Sequence, residues 1–199
     1  MHKKTIFISV VLSLFLFVQC SQKAGKEDTQ SQSKMDKLLA NYANVELETD
    51  FTILSQNQKE MLPLLFEAAK LIDEIYWAQT CPKREEIENS ITNDKVFKYF
   101  KINYGPWDRL NGMEPFVDGV GKRPDGANFY PPDMSYQEFD EFSDLDKYSS
   151  YTLIRRNELG NLISVPYHEA YKEKLVKIAG LIKSAANISE DKKLKDYLN

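Results

Sequence analysis

His168 and Glu169 are the adjacent pair with the greatest catalytic potential in this sequence. Zinc peptidases use a helical His-Glu-x-x-His, in which two imidazoles hold the metal and the carboxylate serves as base. Position 172 is Lys, so the second imidazole is missing, and the only other histidine is His2, close to the N-terminus. One imidazole and one carboxylate do not hold a catalytic zinc ion. His168 is therefore expected to be a helix-start residue. A His–Glu acid–base pair is chemically conceivable, but no nucleophile or oxyanion donor stands beside it. Cys81 has Lys83 and Arg84 nearby, which could lower a thiol pKa. With no evident base, nucleophilic chemistry at Cys81 is not expected.

A second set of candidates lies in Asn103–Met134, which holds five of the eight glycines and five of the eight prolines. That composition marks a long shaped loop. Its aromatics Tyr104, Trp107, Phe116, Phe129 and Tyr130 argue for a loop pinned to a core, since each can bury a large apolar area. Trp107, Asp108, Arg109, Asn128, Tyr130 and Asp133 are its candidate binding or scaffold residues. Gly119-Val120-Gly121 is not a nucleotide fingerprint, because the third glycine position, 124, is Pro and Gly121-Lys122 is followed by Arg123. The carboxylates of Asp108, Glu114, Asp118, Asp125 and Asp133 lack the fixed short spacing of a calcium loop. Pro124-Asp125-Gly126 reads as a turn. Asp133 reads as a charge near the N-terminus of a helix capped by Ser135 and Glu138.

The elements that must position these residues are mostly helical. Ser55 with Gln58 forms a capping box, and Leu62, Leu65, Phe66, Ala69, Ile72 and Tyr76 recur at steps of three and four up to Gln79. Pro63 must kink or restart that helix. Leu64, Leu71, Ile75 and Trp77 widen its apolar surface, which predicts burial on more than one side. Cys81-Pro82 ends it. Asn93 or Asp94 caps a short helix through Lys101 that buries Val96, Phe97 and Phe100. Val45, Leu47, Phe51 and Ile53 alternate with polar residues and suggest an extended segment with one buried face. Tyr151–Arg156 and Leu162–Val165 form a hairpin around Asn157–Asn161. A helix from about His168 to Ala186 packs on it through Tyr171, Leu175, Ile178, Ala179, Ile182, Ala185 and Ala186. Asn187-Ile188-Ser189 reads as a helix end followed by a new N-cap. The fold class is α+β: mostly helical, with a small antiparallel hairpin or sheet and the long aromatic Gly/Pro-rich loop.

Residues 1–19 read as a signal peptide. Lys3 and Lys4 precede an apolar run from Thr5 to Val18 that is short for a membrane span, which takes about 20 apolar residues. Cys20 then stands where a lipoprotein carries its acylated cysteine, although Gln19 replaces the usual small residue. Residues 20–36 comprise that cysteine and a polar tether without the apolar content to fold. The exported chain is thus expected to be membrane-anchored at a periplasmic or outer-membrane face, with 37–199 as its folded region. The formal net charge of -4 argues against nucleic acid as a partner, because phosphate neutralisation needs clustered Lys and Arg. Two cysteines, one of them at the leader's end, exclude a disulfide framework.

Asn103-Tyr104-Gly105-Pro106-Trp107-Asp108-Arg109-Leu110 and Gly126-Ala127-Asn128-Phe129-Tyr130-Pro131-Pro132-Asp133-Met134 together resemble the bacterial branch of the dipeptidyl peptidase III family of zinc metallopeptidases, joined in plants to a Nudix module. The resemblance continues through Tyr151-Thr152-Leu153-Ile154-Arg155-Arg156 and Val165-Pro166-Tyr167-His168-Glu169-Ala170-Tyr171, and runs back to about Lys37. It implies part of the N-terminal lobe of a two-lobed enzyme that removes dipeptides from peptide N-termini. In that family zinc is held by a His-Glu-x-x-Gly-His helix and a downstream Glu. That motif is absent here, so the resemblance assigns no catalytic or metal residue to this chain, and zinc is expected only in a full-length relative. A separate catalytic lobe is the partner it implies. The alternative is a non-catalytic exported lipoprotein that binds peptides in the aromatic loop.

Overall fold

The structure is a computed structural model that describes residues 34–199. The leader, Cys20 and all but the end of the expected tether lie outside the described residues. The folded part begins earlier than the tether reading allows. Residues 34–39 are helical (α1), Met35 is buried, and Asp36 pairs with Lys95 at 2.7 Å.

The segment carrying Val45, Leu47, Phe51 and Ile53 buries no face. All four side chains are exposed, and the segment ends in a 3-10 turn, Phe51–Ile53, capped by Asp50. Alternation specifies a strand only where a partner strand and a covering layer exist, and this segment has neither among the described residues.

Helix α2 runs through Gln56–Thr80. The Ser55 hydroxyl accepts from the Gln58 N–H, and the Gln58 side chain accepts from the Ser55 N–H, closing the expected capping box. The helix continues through Pro63 without restarting. Its buried positions are Met61, Ala68 and Trp77, whereas Phe66 and Ile72 of the expected stripe are exposed. Cys81 caps its C-terminus. Next come α3 (Arg84–Ser90) and α4 (Asp94–Asn103), whose N-cap Asn93 accepts from the Lys95 and Val96 N–H groups. In α4 the fully buried rings are Tyr99 and Phe100, and Phe97 faces outward.

The loop contains a short ladder that its composition did not suggest. Strands β1 (Trp107–Asp108) and β2 (Glu114–Pro115) pair antiparallel, Trp107 opposite Pro115. Helix α5 (Tyr136–Glu141) follows, capped by Ser135 as expected. The orphan carbonyls near its end are met by the buried Lys147, whose Nζ donates to the Phe139, Asp140 and Phe142 carbonyls at 2.5–2.9 Å. Lys147 sits in a 3-10 turn, Leu145–Tyr148. Strands β3 (Thr152–Arg156) and β4 (Leu162–Pro166) form the expected hairpin, Arg156 opposite Leu162. The closing helix is broken. A single turn, α6 (Tyr167–Ala170), is separated from α7 (Lys172–Ile188) by Tyr171 at φ -119°, and α8 (Lys192–Leu198) is capped by Asp191 rather than by Asn187 or Ser189.

Helices α2 and α7 make the principal helix–helix contact and run antiparallel. Lys174 at the start of α7 pairs with Glu74 late in α2, while Glu190, just beyond α7, accepts from Ser55 and Asn57 at the start of α2. Ala68, Ala185 and Ala186 are small buried residues, which permits close approach of the two axes. Ile178 adds apolar burial, worth about 1.5–3 kcal/mol for a side chain of this size. The two small sheets and the predominance of helix are those of the expected α+β class.

Candidate functional site

The loop is built onto the C-terminal end of α2. Trp77 is buried there with Cys81, Phe100 and Val117. The Tyr104 ring stacks on Trp77 at 4.9 Å and 13°, and the Arg84 guanidinium lies 4.3 Å from the Trp77 ring centre. The hydroxyl of Tyr104 donates to Asp73 at 2.8 Å, and that bond is the main reason its phenol titrates above the usual range. Trp107 Nε1 donates to the Gly121 carbonyl, tying the two limbs of the loop together.

Asn128 joins the loop to α2. Its side-chain amide donates to the Ala78 carbonyl at 2.7 Å and its N–H to the Gln79 carbonyl at 2.9 Å. These carbonyls belong to the last helical turn, where backbone acceptors are left without intrahelical partners. Arg155 on β3 secures the other side. Its guanidinium donates to the carbonyls of Asn128 (2.9 Å), Phe129 (3.2 Å) and Ile154 (2.7 Å), and burial lowers its pKa. Arg156, pointing to the opposite face as strand geometry requires, bonds Asp133 at 2.8 Å and chelates Glu138 at 2.6 and 2.8 Å. The hydrogen bond from Arg156 holds the Glu138 carboxyl below its ordinary range.

Two adjoining concavities lie against Trp107. A cavity of about 130 Å³ is bordered by Tyr76, Asn103, Tyr104, Arg109 and Arg123, among others. A groove of about 450 Å³ is walled by Ile87, Trp107, Val120, Pro124 and Tyr130, with Lys83, Lys122 and Asn128 also bordering it. Thr80 and Trp107 border both. The groove falls in the size range of small-molecule and side-chain pockets.

The structure thus brings Trp107, Arg109, Asn128 and Tyr130 to adjoining surfaces and separates the remaining candidates from them. Asp108 is buried below the loop, its carboxylate accepting from the Leu110 N–H at 3.0 Å. Burial first, and then the neighbouring Asp108 carboxylate, push the Tyr99 phenol up to about 12. Asp133 is engaged by Arg156. His168 and Glu169 are exposed on α6, with Nε2 and Oε1 3.9 Å apart. Cys81 is buried, and burial pushes its thiol pKa up despite Arg84. Among the described residues no three His, Cys, Asp or Glu converge as a group that could hold a metal ion. The sequence reading missed Arg123, Arg155 and Arg156. Adjacent arginines in a strand must point to opposite faces, so the pair carried a signal for two separate anchors.

No family model matches the sequence. The structure of dipeptidyl peptidase III from Caldithrix abyssi matches with a TM-score of 0.74 and 35% identity, covering 82% of this chain and 33% of that one. The fold is dipeptidyl peptidase III-like. Dipeptidyl-peptidase III from Corallococcus sp. strain EGB matches with the same TM-score and coverage at 26% identity. Nudix hydrolase 3 of Arabidopsis thaliana is 26% identical over 86% of this chain and 30% of its own length. The chain therefore spans about a third of the length of these relatives. It is similar to an N-terminal part of a dipeptidyl peptidase III and forms a partial lobe of that fold.

Proposed function

We propose that this chain is an N-terminal part of an exported, lipid-anchored zinc peptidase of the dipeptidyl peptidase III type, whose zinc-binding residues lie in polypeptide outside it. One contrast carries the reading. Solved dipeptidyl peptidase III structures match over 82% of the chain, yet its only described imidazole, His168, is solvent-exposed, with the Glu169 carboxylate 3.9 Å away. On this reading the chain alone hydrolyses nothing, and its loop and hairpin are scaffold facing a catalytic lobe. Apolar side chains left exposed support a further packing partner: Leu47, Ile53, Phe66 and Ile72 are 53–91% accessible. The apolar leader followed by Cys20 supports the anchor. Lipid labelling that survives in the unaltered chain and vanishes in Cys20→Ala tests it, and equal labelling of the two contradicts it.

The direct test of the reading is hydrolysis of a dipeptidyl-arylamide by the purified chain in zinc-containing buffer. No turnover above a heat-denatured control is expected, and saturable turnover overturns the reading. A second reading, a non-catalytic peptide-binding lipoprotein, is favoured by the apolar groove beside Trp107 and Tyr130. Saturable peptide binding by the purified chain that Trp107→Ala abolishes would support it, and no saturable binding would count against it.

A further inference from the structure

The 130 Å³ cavity is bordered by two guanidinium residues, Arg109 and Arg123, and by no carboxylate. The nearby Asp73 is engaged by the Tyr104 hydroxyl and does not border the cavity. Arg109 is already oriented, since its Nε donates to the Asn103 carbonyl at 2.7 Å and one terminal nitrogen to the Tyr76 hydroxyl at 2.6 Å, while the other terminal nitrogen bonds no described residue. Arg123 makes no hydrogen bond or ion pair with a described residue, although it is partly buried. Ordering an arginine beside a second one costs free energy through like-charge repulsion and lost solvation unless an anion joins them. The groove across Trp107 continues the pattern. Its walls are apolar, and it is bordered by Lys83 and Lys122 against a single acid, Glu86. An acidic protein has thus gathered four cations and one carboxylate around two adjoining concavities.

We propose that this junction binds a carboxylate that carries a flat apolar body. The carboxylate sits between Arg109 and Arg123, where planar guanidiniums can meet it in bidentate fashion, and the apolar body crosses Trp107 into the groove. An isolated inorganic anion would leave the groove empty, and a neutral aromatic would leave the guanidiniums unmatched. A free aromatic acid and the C-terminal carboxylate of a peptide ending in an aromatic residue share this chemistry. The site belongs to residues of this chain and does not rest on the peptidase reading.

The test uses the full chain in detergent, titrated with 3-phenylpropionate and with N-acetyl-glycyl-phenylalanine while tryptophan fluorescence is read. The corresponding amides serve as neutral controls. At least one acid is expected to give a saturable change that its amide does not, and which acid does so separates a free-acid ligand from a peptide C-terminus. Arg123→Gln should raise the half-saturating concentration about tenfold, the worth of one charge-assisted hydrogen bond. Its unfolding midpoint should not fall, because Arg123 makes no hydrogen bond or ion pair with a described residue and its removal relieves the repulsion from Arg109. Arg123→Lys, which keeps the charge and loses the fork, should weaken binding less. Equal binding of acid and amide overturns the proposal. So does unaltered acid binding by Arg123→Gln, or no saturable signal with either acid.

Discussion

Gly126 allows the loop geometry to be tested with one atom. Its φ is +73°, and a Cβ built there lies 2.5 Å from Cδ2 of Tyr130, far inside van der Waals contact. Gly119 has nearly the same φ, +77°, with nothing within 4 Å of its Cβ position. Alanine at 119 should therefore incur only the left-handed backbone cost, about 1–2 kcal/mol. Alanine at 126 incurs that cost and must also displace Tyr130 from its edge-on contact with Phe139 at 5.7 Å. Overpacking of this kind adds about 1–3 kcal/mol, giving a total of about 2–5 kcal/mol. Across a domain of this size that lowers the thermal midpoint by about 4–20 °C, at roughly 2–4 °C per kcal/mol. The assay is thermal unfolding by circular dichroism for Gly119→Ala, Gly126→Ala, Tyr130→Ala and the double variant Gly126→Ala/Tyr130→Ala. In the Tyr130→Ala background the clash is gone, so the alanine at 126 should cost no more than the one at 119, leaving a coupling energy of about 1–3 kcal/mol. Equal costs at 119 and 126 in the unaltered background, or a cycle that closes with no coupling, would refute the placement of Tyr130 over the turn.

Three further outcomes follow from the anchors of the loop. Asn128→Ala removes the amide that meets the Ala78 carbonyl and should destabilise the chain by about 0.5–2 kcal/mol in urea unfolding, with exchange of amides in the last turn of α2 and residues 124–130 accelerated most. Glu138 is held below the ordinary carboxylate range by Arg156, so its contribution to stability is complete above pH 4.5 and is lost as pH falls through its lowered folded-state pKa. The acid limb of the stability–pH curve should therefore flatten in Glu138→Gln, and an unchanged limb contradicts the assignment. The Cys81 thiol, buried and with its pKa raised, should resist alkylation near pH 7.5 in the native chain and react on unfolding, as read by peptide mapping. Rapid native labelling would show that the α2 terminus is open.

Features written in neighbouring residues were legible in the sequence. The Ser55–Gln58 box, the Asn93 and Ser135 caps, the stop at Cys81-Pro82 and the Pro124–Gly126 turn each depend on a few adjacent side chains and backbone groups, and each forms as expected. What failed was the choice among apolar positions. Helix α2 is apolar on more than one side, and periodicity cannot say which positions along it this chain covers. Met61, Ala68 and Trp77 are buried, whereas Phe66 is left exposed at nearly the same angle around the helix as Trp77, and Ile72 is left exposed one turn on from Ala68. The alternation at Val45–Ile53 fails for the same reason, since no strand pairs with it. The break at Tyr171 carries no Gly or Pro signal. At the candidate site, Trp107, Arg109, Asn128 and Tyr130 were readable from the loop's composition. The pairing of Arg123 with Arg109 was not, because the two are brought together only by the way Trp107 and Gly121 close the loop.

The account stands on the claim that the groups of this chain do not hold a catalytic zinc ion. Metal analysis of the purified chain after exposure to zinc and exhaustive dialysis, read alongside dipeptidyl-arylamide hydrolysis on the same sample, tests it most directly. Substoichiometric zinc that His168→Ala leaves unchanged, with no turnover, is the expected result. One zinc ion per chain, lost together with activity in His168→Ala, would contradict the account.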